Sequence, residues 1–596
     1  MKILWKILRG MLAFIGLVVV GLAIYGATAL NDGGFRLPGK MVLAYSFHGT
    51  PHDEPKGSQW LEKWVGTEPT LAEVTDAIYH AAKDPKVEAF AASLHAGDYK
   101  WADVQELRAA IAAFRAAGKK TYVYATSYGE LYPGMAEYYL ASAFDEIWLQ
   151  PIGTVAITGF QAQVPYFKKT LDLVGVQPDI IQKGAFKTAP EPALLEQMSD
   201  AQRQGLHAIL QSMMTDFFEG VSAGRKIPAN TIGQLVDGAP YTSKEAKERG
   251  LVDRVGYLDE LSEQLVPGGG SDHHDFVDAV DYLYAAGGLT LDKIAGDKDI
   301  KAGKTGGKGN KVALVYVRGL IMSDDGEGAP GMFGDTVATA SDIAAAILDA
   351  ADNEHVGAIV LRVDSPGGSP SASESIRRAV SVAREKGKYI VVSMGGEAAS
   401  GGYWIVVDAD KIYAQPGTLT GSIGVFGGKA SFAGLLSKVG VNWNSVTLGA
   451  NAGMWSPAEP YTPDQHAAIS RMLDDVYDGF IARVAAGRHF APEVVEGMAG
   501  GRVWTGRQAK ERGLIDEMGG LRQALEDVAA KMGVKDVEKL HIMVMPEAHN
   551  PLEDLMGMFA QGAATLDIIR PALNSLVMSG HPEWTLVRAQ RFEISH

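Results

Sequence analysis

One stretch of this sequence occurs twice. Tyr138 to Gly159 reads YYLASAFDEIWLQPIGTVAITG and Tyr403 to Gly424 reads YWIVVDADKIYAQPGTLTGSIG. Gln150 and Gln415, Gly159 and Gly424, and the tripeptides Val174-Gly175-Val176 and Val439-Gly440-Val441 are all separated by the same 265 positions. A constant spacing over such a length marks a duplication, and a duplicated chain has to build two copies of one unit. Further upstream, DPKVEAFAASLHAG (Asp84 to Gly97) parallels NEHVGAIVLRVDSPGG (Asn353 to Gly368), with Val87 matched to Val356 at an offset of 269.

The better-marked copy shows what the unit is. SDIAAAILDAADN is apolar at helical spacing, GAIVLRV is a buried β-branched strand, SESIRRAVSVAREKGK is an amphipathic helix ending at Gly387, and YIVVSM is a second buried strand. Helices alternating with apolar strands predict an α/β fold with a parallel sheet in each half. The run from Ala286 to Asn310 is rich in Gly and Lys and lacks periodicity, so it reads as a linker. The expected organisation is two tandem α/β domains, 40–285 and 311–545, joined by the linker 286–310 and followed by an extension, 546–596, without a counterpart in the first half.

The amino terminus, 1–31, is expected to be a transmembrane anchor. Gly10 to Leu30 carries no charge, and its 21 residues are long enough to span the roughly 30 Å hydrocarbon layer as a helix. Lys2, Lys6 and Arg9 precede it, and the positive-inside bias puts them in the cytoplasm and the domains outside, with Arg36 and Lys40 weighing slightly the other way. Ala27-Thr28-Ala29 offers the competing reading of a cleavable signal peptide, but the apolar run is longer than such segments use. A net charge of -16 argues against a nucleic-acid partner, and the lack of cysteine removes disulfides, thiolate metal sites and a Cys nucleophile together. His273-His274 sit in a GGGSDHHD loop with no second cluster, so no metal and no cofactor are expected.

Two loops of the second half suit acyl chemistry. Asp364-Ser365-Pro366-Gly367-Gly368 follows a buried strand, and its paired glycines let backbone N–H groups approach a ligand as an oxyanion hole. Ala398-Ala399-Ser400-Gly401-Gly402 follows the next strand and opens a helix, placing the Ser400 hydroxyl among side chains too small to obstruct a substrate. A plain helix cap at Ser400 and plain tight turns at the glycines are the competing readings. Ser400 needs a base, yet no His lies between it and His466. The duplication suggests a lysine instead: the match of Ser400 in the first half is Met135, while the match of Lys187, in GAFKTAP, is Ala452, so each half keeps what the other lacks. An apolar neighbourhood of Phe186, Ala185 and Ala189 would favour the neutral amine that a base must be. Lys429 and Lys438 lie nearer in sequence, and spacing leaves the choice open.

Together DSPGG (Asp364 to Gly368), EAASGGYW (Glu397 to Trp404), TLTGSIG (Thr418 to Gly424) and GAFKTA (Gly184 to Ala189) resemble the long, duplicated form of bacterial signal peptide peptidases, the SppA family. The resemblance spans nearly the whole chain. It implies a ClpP/crotonase-like fold in both halves and a serine peptidase with a Ser-Lys dyad assembled across them: Ser400 as nucleophile, Lys187 as general base, Gly368 as an oxyanion N–H donor with Gly367 beside it in the oxyanion loop, and Ser422 as a hydroxyl orienting the lysine. It also implies a homo-oligomer, a tetramer in the family, on the periplasmic side of the bacterial inner membrane, acting on remnants of signal peptides. Two positions depart from the family pattern: Thr188 stands where Ser is expected, and Glu397 places a charge beside the nucleophile loop. A crotonase-like acyl-CoA enzyme is the rival activity, which the anchor and outward orientation disfavour. A catalytically dead membrane scaffold is the other, disfavoured by the retained Ser400.

Overall fold

The repeat seen in the sequence returns as a repeat of strand order. The computed structural model describes residues 37–53, 69–267, 275–286, 309, 311–323 and 337–545. In the first half the strands are β1 (Met41–Gly49), β2 (Val87–Asp98), β3 (Lys120–Ala125), β4 (Glu146–Leu149), β5 (Thr154–Val155), β6 (Gln177–Lys183), β7 (Tyr241–Thr242), β8 (Arg254–Val255) and β9 (Phe276–Asp278). In the second they are β10 (Lys311–Arg318), β11 (Leu320–Met322), β12 (Val337–Thr339), β13 (Val356–Ser365), β14 (Tyr389–Ala399), β15 (Lys411–Ala414), β16 (Leu419–Gly421), β17 (Val425–Ser431), β18 (Val503–Thr505), β19 (Glu517–Met518) and β20 (His541–Met545). The first sheet runs β9-β1-β2-β3-β4-β8 and six strands of the second run β20-β10-β13-β14-β15-β19, all parallel, so each of these has its counterpart in the same place; the second sheet adds β16, parallel to β14, and β18, antiparallel to β16. Even the register recurs, with Val87 opposite Met41 and its match Val356 opposite Lys311.

Parallel neighbours need crossovers, and helices supply them. Leu71–Lys83 starts in a capping box between Thr70 and Glu73, and Pro370–Glu385 starts three residues before the sequence pattern suggests, with Ser369 as its cap and Pro370 in the first turn. Apolar residues of the crossover helices share one core with the strands: Val74, Ile78 and Leu107 with Leu43 and Phe90 in one half, Ile347, Ile376 and Val380 with Ile359 and Leu361 in the other.

The halves are not beads on a string. All described residues fall in one compact unit. β6 of the first half pairs antiparallel with β17 of the second, from Lys183 opposite Val425 to Gln177 opposite Ser431. Arg362 lies in GAIVLRV, the strand read as buried and β-branched, and at 1% exposure it is held by first-half carboxylates: Nε donates to Asp53 Oδ2 at 2.7 Å and Nη1 approaches Glu106 Oε1 at 2.8 Å. A buried cation persists only with such partners. Arg522 meets Asp76 across the same interface at 2.7 Å.

The expected anchor, most of the linker, the His273-His274 loop and the extension 546–596 lie outside the described residues. Among the described residues, no helix is long and apolar enough to cross a membrane.

Candidate active site

The local fold of β14 explains where Ser400 stands. Ala398 and Ala399 end the strand on the neighbouring β16, the Ser400 N–H donates to Gly421 O at 2.9 Å, and the helical turn Gly401–Trp404 begins at once. The sharp exit forces Ser400 to φ 54° and ψ -117°, where a residue with a Cβ is strained. Its side chain caps nothing. The hydroxyl is therefore left to other partners, which the helix-cap reading of this serine did not foresee.

The partner is Lys187. Its Nζ lies 2.8 Å from Ser400 Oγ, 3.0 Å from Ser422 Oγ and 3.0 Å from the Ser422 carbonyl oxygen. Ser422, at φ 51°, turns both oxygens toward the amine. Lys187 is 5% exposed, and burial lowers its pKa to about 8. The source of that burial differs from the sequence expectation. Ala185 and Ala189 are exposed and Phe186 is half-buried. The cover comes from the second half, where a Cβ added to Gly501 would stand 2.5 Å from the Lys187 backbone N and Cβ. The Phe186 N–H donates to Gly500 O at 2.8 Å, which clips the lysine loop to this Gly-Gly turn. The physical reason is directional: in an irregular loop the neighbours in sequence point elsewhere, and contacts across the fold decide what surrounds a side chain. The other candidate bases are engaged away from Ser400, Lys429 with Ser456 O at 2.9 Å and Lys438 with Leu173 O.

The two glycines grouped from the sequence separate in space. Gly367 donates its N–H to Ser365 Oγ at 3.1 Å, so that donor is already used. Gly368 bridges Ile321, with the Ile321 N–H on Gly367 O and the Ser369 N–H on Ile321 O, both at 2.8 Å. In a parallel bridge of this kind the Gly368 N–H points the other way, and it has no partner among the described residues. It faces the nucleophile loop: a Cβ added to Gly401 would stand 3.0 Å from Gly368 N and 2.5 Å from Ser373 Oγ. The small residues around Ser400 thus serve close approach of the two loops. Gly402 likewise faces Ser365 O, which a Cβ there would meet at 2.6 Å.

With the geometry in place, similarity to known proteins decides the family. The Peptidase family S49 profile matches residues 113–267 and 382–535, once in each half. "Protease 4" of Salmonella typhi is 33% identical over 87% of this chain and 82% of its own length, and "Protease 4" of Haemophilus influenzae 32% over 88% and 85%. The chain belongs to peptidase family S49. "Serine protease SPPA, chloroplastic" of Arabidopsis thaliana is a further relative, 27% identical over 82% of this chain and 69% of its own length. As an S49 member this chain is a serine peptidase built from tandem α/β units. Lys187 falls in the first S49 match and Ser400 and Ser422 in the second, while Gly367 and Gly368 precede it.

Sequence reasoning missed the Gly500-Gly501 turn, the contact of the Asp364 carboxylate with the Glu397 N–H, and the ion pairs of the buried Arg362. The turn carried a readable signal, two adjacent glycines at φ 67° and 81° shortly before a strand, but nothing in the sequence linked it to a lysine three hundred positions away.

Proposed function

We propose that this S49 peptidase is a Ser-Lys endopeptidase that degrades cleaved signal peptides and other short hydrophobic peptides at the outer face of the bacterial inner membrane, held there by its N-terminal segment. The observation that carries the reading is the 2.8 Å approach of Lys187 Nζ to Ser400 Oγ. A neutral amine has two hydrogens and one lone pair. The two oxygens of Ser422 suit the hydrogens, which aims the lone pair at the Ser400 hydroxyl.

In this mechanism Ser400 Oγ attacks the peptide carbonyl carbon as Lys187 Nζ takes its proton. The carbonyl oxygen becomes an oxyanion, for which the Gly368 N–H is the donor. The C–N bond then breaks, the Lys187 ammonium protonates the departing amine, and the acyl group remains on Ser400. Water enters, loses a proton to the again neutral Lys187 and hydrolyses the ester, restoring the hydroxyl. The two halves are read as ClpP/crotonase-like units, supported by their repeated strand order, and the working assembly as a homo-oligomer, a tetramer by family resemblance.

Ser400→Ala tests the reading. We expect an assembled, folded protein whose peptidase turnover and labelling by a fluorophosphonate serine probe are both lost; substantial turnover by the pure variant refutes the role of Ser400. A chain lacking residues 1–30 is expected to be soluble and active, and recovery of that truncated chain with membranes after carbonate washing refutes the anchor. Apolar peptides should be cleaved faster than folded polar proteins, and equal rates refute the substrate class.

A further inference from the structure

The strand that delivers Ser400 is irregular. β14 stays in step with β13 from Ala358 opposite Tyr389 to Val363 opposite Met394, and pairing resumes at Ser365 opposite Ala398. Asp364 alone therefore faces Gly395, Gly396 and Glu397. A bulge of this kind bends a strand and re-aims the residues after it. Here those are Ala398, Ala399 and Ser400. The equivalent pair in the first half, β2 and β3, runs from Ala89 opposite Lys120 to Leu94 opposite Ala125 and ends there, at the match of Val363 and Met394, with no pairing resumed beyond. At the offset of 269 the residue matched to Asp364 is His95. Aspartate and nucleophile occur together in one half, and the half with Met135 has neither.

The Asp364 carboxylate occupies the bulge. Its Oδ1 accepts the Glu397 N–H at 3.0 Å, in place of a strand carbonyl. A Cβ on Gly395 would stand 3.2 Å from Asp364 Cβ, and one on Gly396 3.3 Å from Oδ1, so the carboxylate lies across two residues that leave it room. Thr418 Oγ1 donates to Gly395 O at 2.8 Å and pins the other side. Lys100, from the first half, places Nζ 3.7 Å from Asp364 Oδ2. It immediately precedes the helix Trp101–Ala116, whose Gln105 accepts the Gly417 N–H at 2.8 Å.

We propose that Asp364 is a positioning residue for the nucleophile: by holding the β14 bulge it fixes where Ser400 Oγ stands relative to Lys187 Nζ and the Gly368 N–H. Lys100 steadies that carboxylate, so the first half supports the serine as well as supplying the lysine. The inference rests on the Ser400-Lys187 reading and is tested on the full chain with one peptide substrate, measuring kcat, KM, the pH profile and thermal melting. Asp364→Ala is expected to lower kcat about thirtyfold, with KM held within about twofold, because a shift of less than 1 Å at the attacking atom costs rate and not binding. The pH midpoint should stay where Lys187 sets it. Asp364→Asn keeps an acceptor at Oδ1 and should return kcat to within about threefold of the parent. If Asp364→Ala does not fold, Gly395→Ala reads the same step, since its Cβ pushes the carboxylate aside, and should lower kcat with KM kept. Parent-like kcat in a natively melting Asp364→Ala or Gly395→Ala overturns the proposal, and so does an Asn variant as damaged as the Ala one. Ser400→Ala run alongside separates the two levels: turnover there would overturn the dyad itself, whereas a dead Ser400→Ala beside a normal Asp364→Ala overturns only the positioning role.

Discussion

At the residue scale the chemistry depends on the charge state of one amine. A free lysine, with a pKa near 10.4, is almost wholly protonated at neutral pH and cannot accept a proton. Burial brings Lys187 to about 8, so its neutral fraction grows as pH rises through that value. We expect kcat/KM to climb with a single midpoint near pH 8 and to stay high until the fold fails, measured on a peptide substrate. Lys187→Ala should abolish the activity, and Lys187→Arg should not restore it, because guanidinium stays charged. Lys429→Ala and Lys438→Ala should leave the profile unchanged. The same burial costs stability. Between the folded value near 8 and the unfolded value near 10.4 the unfolded chain binds more protons, so this group adds stability as pH rises through that window and opposes folding below it. Lys187→Met should therefore be inactive yet melt higher at pH 7, by on the order of 1–3 kcal/mol. Ser400 and Lys187 could be named as candidates in the sequence because the repeat exposes what each half lacks, while spacing leaves Lys429 and Lys438 open beside Lys187. Gly368 is singled out as the oxyanion donor only through the resemblance, since which N–H is free follows from a bridge to Ile321 and a bond to Ser365 that no local pattern encodes.

At the element scale, the strands and helices of the repeated unit were readable from periodicity, and the ribbon that carries the lysine was not. β17 follows directly on TLTGSIG, but the residues at the same offset in the first half form no strand. β17 exists because β6 pairs with it, an antiparallel contact between segments more than two hundred residues apart. Gly428 sits at the crossing, where a Cβ would meet Asp179 O at 2.2 Å and Ile180 Cα at 2.7 Å. Gly428→Val should wedge the ribbon open and draw Lys187 from Ser400. The expected result is a loss of kcat of at least about tenfold with only a small fall in melting temperature, because the strands displaced lie outside both main sheets. A variant with normal kcat would show that the Gly500-Gly501 turn holds the lysine without the ribbon.

Across the whole molecule, the two halves behave as one body because charged groups are buried between them. Arg362 is matched by Asp53 and Glu106, and replacing it with Met would strand those carboxylates in the interior. We expect Arg362→Met to destabilise the protein by about 3–5 kcal/mol in denaturant unfolding. Asp103, beside this cluster, has its pKa pushed up to about 8 by burial first and by Asp53 second. A carboxyl raised in this way stabilises least at high pH: its contribution falls from the unfolded value near 3.9 up to about 8 and is flat beyond. Asp103→Asn should thus raise the melting temperature more at pH 8 than at pH 5, and an equal shift at both would show that Asp103 titrates normally. By itself the sequence determined the duplication, the α/β character of each copy, the family motifs and the complementary loss of serine and lysine, because repeats, period and composition are properties of the chain read in order. The tertiary structure decided which lysine meets the serine, what desolvates it, which glycine N–H stays free and how Asp364 bends the nucleophile strand. Each of those depends on groups distant in sequence approaching within hydrogen-bond range, and linear spacing does not contain that distance.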